Sequence, residues 1–183
     1  MIKFIIMVAE TLRYPIGKFN PPEQITEENI SKWIAIIESL PLKMREAVNG
    51  LTSEQLDSPY REGGWTIRQV VHHMADSHMN AYIRFKLTLT EDNPTIKPYL
   101  EEKWAEQIEA RHGQIEMSLR ILEALHHRWT VVLSNIYSTD WKRTYYHPEN
   151  KKTTSLEHAL GLYAWHSQHH LAHILNYRMG KGW

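Results

Sequence analysis

The chain has 183 residues, with 21 Lys and Arg against 21 Asp and Glu, 12 His and no Cys. That length suits a single domain with a sizeable core, and the balanced, interspersed charge excludes a built-in attraction to nucleic acid or to an anionic membrane. The lack of cysteine excludes disulfides, a cysteine nucleophile and thiolate metal ligands. A metal site must then use nitrogen and oxygen donors, and the expected location is the reducing cytoplasm.

Residues 1–13, "MIKFIIMVAETLR", read as a leader, and residues 14–183 as one domain. The apolar stretch Phe4 to Ala9 is shorter than the ~7–15 residues of a signal core and the ~20 of a membrane span. After "NPPEQIT", Thr26 and the acidic residues behind it open a helix that carries Ile30, Trp33, Ile34, Ile37 and Leu40 on one face. Pro41 is expected to kink or restart this helix before Met44, Val48 and Leu51. "TSEQLDSPYREGG" is a polar connection. Thr66 then N-caps a long helix whose stripe is Ile67, Val70, Val71, Met74, Ala81, Phe85 and Leu89.

"EDNPTIKPY" ends that helix with two prolines, and a short helix is expected over 101–110. A longer one runs from about Gln114 to Ile136 on Leu119, Leu122, Leu125, Trp129, Val132 and Leu133. An extended piece or hairpin is expected around Trp141–Tyr146, and Ser155 opens a last helix to about Arg178. The expected fold class is all-α, a four-helix bundle with medium-length connections.

"WHSQHHLAHI" places His166, His169, His170 and His173 within ten residues. At ~100° per residue, with inward-facing Tyr163 as zero, His170 falls near −20° and His166 near −60°. His173 near −80° and His169 near −120° drift outward by the same count. His166 and His170 are spaced i, i+4, which stacks both rings on one face and suits a shared divalent cation. The zinc-protease pattern HExxH is absent, because Ser167 occupies its second position.

"VVHHMADSHMN" supplies further imidazoles. With Met74 as zero, His72 points outward near 160°, His73 lies near −100° and His78 near +40°. His78 is the better core-facing candidate, while His73 heads a polar stripe of Ser77, Asn80 and Arg84 that suits a cavity wall. Spacing alone leaves the third ligand open between them. Trp65, Trp165, Tyr163 and Tyr60 are candidate pocket residues, and Arg84 and Asn80 candidates for orienting an anion. His147, His126 and His127 are assigned to surface or hydrogen-bonding roles. Asp76 points away, and Glu157 stands more than two turns from His166, so no protein base is assigned.

"GGWTIRQVVHHMADSHMNAYIRFKL" and "YHPENKKTTSLEHALGLYAWHSQHHLAHI", flanked by "LDSPYREGGW" and "YIRFKLTLTED", closely resemble the YfiT-type metal-dependent hydrolases, a branch of the DinB-like superfamily. The resemblance runs from Tyr14 almost to the C-terminus. It implies a four-helix bundle, usually a homodimer, with one divalent ion per chain held by three histidines. Carried over, these are His73, His166 and His170, with zinc or nickel expected as the metal. The implied reaction is hydrolysis of a small molecule by a metal-activated water. The alternative is transfer of a low-molecular-weight thiol, such as bacillithiol, to an electrophile. A third reading is a non-catalytic metal-binding bundle.

Overall fold

The computed structural model describes residues 10–183, so most of the expected leader, residues 1–9, lies outside the described residues. A helical turn at residues 10–13 leads to α1, Glu27–Val48. Thr26 caps α1 by accepting from the Asn29 amide, and the Asn29 side chain returns the bond to the Thr26 amide. The short α2, Ser53–Leu56, precedes α3, Ile67–Thr90, which Thr66 and Gln69 cap in the same reciprocal way. Two short helices, α4 (Glu101–Trp104) and α5 (Ile108–His112), take the place of the one expected over 101–110. They are followed by α6, Ile115–Leu133.

Of the extended piece or hairpin expected around Trp141–Tyr146, a hairpin is found, but further on: β1, Thr144–His147, pairs antiparallel with β2, Lys152–Ser155, while Trp141 lies in a 3-10 turn. Ser155 then caps α7, Leu156–Lys181, through the His158 amide. The residues 94–96 run beside β1, with the Tyr146 amide donating to the Pro94 carbonyl and the Ile96 amide to the Tyr146 carbonyl. This pins the connection after α3 and sets α4 in place. Among the described residues, no helix is long and apolar enough to cross a membrane.

The long helices form a four-helix bundle in which α1 packs against α6 and α7, and α3 against the same two. The successive long helices α1 and α3 therefore lie across the bundle from each other. Close approach of α1 and α7 requires Gly161, since a Cβ there would stand 2.9 Å from the Trp33 ring.

α1 runs through Pro41 without the restart that was one of the two expected outcomes. Lacking an amide proton, Pro41 cannot donate to the Ile37 carbonyl one turn earlier. That carbonyl is instead served from another helix, by His126 Nδ1 at 2.6 Å.

The core is divided. One apolar cluster gathers Leu40, Met44, Ile67, Val70, Met74, Leu122 and Ile174. The other gathers Ile37, Ala81, Phe85, Trp129, Leu160 and Tyr163. Between the two lies a layer of histidines.

Candidate metal centre

His73 extends from α3 towards His166 and His170, one turn apart on the neighbouring α7. The Nε2 atoms of His73 and His166 lie 3.2 Å apart, and the His166 and His170 ring centres are separated by 4.5 Å. One ring nitrogen from each of the three falls within 4.8 Å of the others. Two nitrogens bound at ~2.0–2.1 Å to a tetrahedral ion stand ~3.3 Å apart, so the observed gap fits a divalent cation. The buried Nδ1 of His170 meets no hydrogen-bond partner among the described residues.

Burial pushes the His73 imidazole down to about 3, with the nearby His169 adding to the effect. His166 and His170 are likewise held well below the usual histidine range, by burial first and then by their neighbouring imidazoles. All three are neutral at pH 7, the form that ligates a metal.

A second set, His169, His170 and His173, also brings nitrogens within 4.8 Å, but it lies on one helix and shares His170. Adjacent helical residues diverge by ~100°, which spreads such donors away from a common point. His173 Nε2 is already bonded to the Arg13 carbonyl at 3.1 Å. His169 and His173, computed to drift outward along the flank, are nonetheless buried. Tyr60 stacks on His173 at 4.0 Å, and Trp165 and Tyr14 pack on His169. Residues 13–14 and the loop before α3 cover this flank, which the periodicity of a single helix does not register.

His78 stands behind His166 rather than within the group: its Nε2 faces His166 Nδ1 at 3.3 Å. Its own Nδ1 is 2.8 Å from Nε2 of His126. His126 is therefore interior and takes the hydrogen-bonding one of the two roles expected for it. His72 is also buried, held by Ser118 Oγ at 2.8 Å.

Two cavities meet at His166, and the smaller of them also reaches His73 and His170. A cavity of about 530 Å³ is lined by Ser77, Arg84, Tyr99, Glu101, Tyr163 and His166 among others. A smaller one of about 240 Å³ includes Trp65, Glu101, His73, His166 and His170 in its wall. The polar stripe of α3 thus supplies part of a cavity wall, with Arg84 Nη1 donating to the Tyr163 hydroxyl at 2.9 Å. Asn80 instead bonds the Asp76 carbonyl of its own helix. Glu157 is paired with Lys142.

Glu101 is the residue that sequence reasoning missed. It lines both cavities, and partial burial raises its carboxyl pKa, with Glu102 and Glu149 adding to the rise. Nothing in its spacing signals this. Its place follows from the pairing of residues 94–96 with β1.

A four-helix bundle with three neutral imidazoles converging from adjacent helices has the architecture of a metal-binding bundle protein. The chain belongs to the DinB superfamily, whose family model matches residues 37–174. It is 50% identical over 177 residues to "Putative metal-dependent hydrolase YfiT" of Bacillus subtilis, covering 97% of this chain and 99% of that one. A Bacillus cereus protein named "Putative metal-dependent hydrolase" is 54% identical over 172 residues, covering 94% and 98% of the two chains. The solved structure of B. subtilis YfiT superposes with a TM-score of 0.92 at 51% identity, covering 94% of this chain and 99% of that one. It is described as "a probable metal-dependent hydrolase with an unusual four-helix bundle topology".

Proposed function

We propose that the protein is a divalent-metal-dependent enzyme acting on a small molecule, with His73, His166 and His170 as ligands, zinc or nickel as the ion, and hydrolysis as the reaction. The 3.2 Å approach of two Nε2 atoms beside a third imidazole, opening onto a cavity, carries this reading. When bound, the ion supplies a Lewis acid that lowers the pKa of a water or thiol at its remaining position. Glu101, with its raised carboxyl pKa, takes a proton from the attacking group. Arg84, steadied by the Tyr163 hydroxyl, holds an anionic group of the substrate. Trp65, with its ring centre 4.6 Å from that of His73, screens the histidines from bulk water.

Thiol transfer is the second reading. Two cavities meeting at His166 give room for two reactants, and a chain without cysteine draws its thiol from outside.

Elemental analysis of tag-free protein tests the proposal. One ion per chain is expected, lost in His73→Ala, His166→Ala and His170→Ala. No stoichiometric ion after reconstitution would sink the catalytic reading. Once a substrate is found, Glu101→Gln is expected to lower kcat by roughly 10²–10⁴-fold with metal content unchanged.

A further inference from the structure

Between the two apolar clusters, a line of hydrogen-bonding groups crosses the bundle and draws one member from each long helix. It starts on α1 at the Ile37 carbonyl, which Pro41 leaves without a helical donor. It continues through His126 of α6 at 2.6 Å and His78 of α3 at 2.8 Å. It ends on α7 at His166 Nδ1, at 3.3 Å from His78 Nε2. The opposite nitrogen of that ring, Nε2, is the one that faces His73.

The direction of each bond follows from the first. A carbonyl oxygen only accepts, so His126 carries its proton on Nδ1. A neutral His126 then offers a lone pair at Nε2, which obliges His78 to donate from Nδ1. The same step repeated leaves His78 accepting at Nε2 and His166 donating from Nδ1. Running the line the other way would need a doubly protonated His126 inside an apolar bundle, where ionisation is disfavoured.

We propose that His126 and His78 are positioning residues that lock His166 in its Nδ1–H tautomer and so present its Nε2 lone pair to the metal. This rests on the reading of His166 as a ligand, but the tautomer can be read without any metal. A ligating imidazole is oriented by what its other nitrogen bonds, and loss of such a partner typically costs 10–100-fold in metal affinity. Here the partner is a second histidine, oriented in turn by a third and by a carbonyl that a proline has released.

The test is long-range ¹⁵N–¹H NMR on histidine-labelled protein, metal-free and zinc-loaded. His126, His78 and His166 are each expected as a single Nδ1–H tautomer in the wild type. A Nε2–H form at any of the three overturns the proposal, whether or not the protein binds zinc. Next, zinc affinity is compared for His78→Leu, which cannot accept from His166, and His78→Gln, whose amide oxygen can. A loss of 10–100-fold in the leucine variant, with recovery in the glutamine variant, is expected. Equal affinity in two folded variants overturns the positioning role. A wild type with the three expected tautomers but no zinc affinity would sink the proposed metal site and leave the histidine line standing.

Discussion

Burial to 1% exposure holds His126 neutral and pushes its pKa from 6.5 down to about 4, only partly opposed by its bond to the Ile37 carbonyl. The unfolded chain takes up this proton below pH 6.5, whereas the folded chain resists until near pH 4. The stability due to a neutral His126 is therefore whole above pH 6.5 and lost as the pH falls between those values. Urea melts of metal-free protein at pH 7.5 and 4.5 are expected to differ by at least roughly 2–3 kcal/mol from this one group. Equal stability at the two pH values would mean that the ring is hydrated. The same residue marks where sequence reading stops. The i, i+4 spacing picks out His166 and His170, and the resemblance supplies His73, which the structure does bring beside them. The part played by His126 depends on a carbonyl from a helix 89 residues away in sequence, beyond the reach of single-helix periodicity.

At the scale of elements, the contact between α1 and α7 turns on one small residue. Alanine at position 161 gains about 1 kcal/mol of helix propensity, but its Cβ meets the Trp33 ring at 2.9 Å, and overpacking costs about 1–3 kcal/mol. A net loss of about 1 kcal/mol is expected in denaturant melts, relieved when Trp33→Leu is added. Stability unchanged in the single variant would show that the indole yields freely. The long helices were legible because each pairs a capping residue with apolar positions three and four apart, as Thr66 does with Ile67, Val70 and Met74. The hairpin was legible in outline from its extended, turn-flanked stretch. The division of residues 101–112 into α4 and α5 was not, since each is about one turn long and held by tertiary contacts. The continuation of α1 through Pro41 was not legible for a related reason: local rules count the lost amide but not the donor that serves its former acceptor.

For the whole molecule, a metal bound only by the folded chain adds stability by mass action. Zinc at one hundred times its Kd is expected to raise unfolding free energy by about 2.7 kcal/mol, read as a higher Tm that returns to baseline with chelator. A Tm indifferent to zinc would count against the three-histidine site. The histidine layer carries a further consequence, for topology. Apolar side chains pack acceptably in many alignments, so a purely greasy bundle would tolerate helices that slide by a turn or exchange neighbours. A line that needs one correct atom from each of four helices admits a single alignment, much as one buried asparagine fixes register in a coiled coil. Replacing both His78 and His126 by leucine is expected to keep helix content while broadening the NMR signals of the core. On this account the layer works as a combination lock: the diagonal placement of α1 and α3 is the one arrangement in which every tumbler engages.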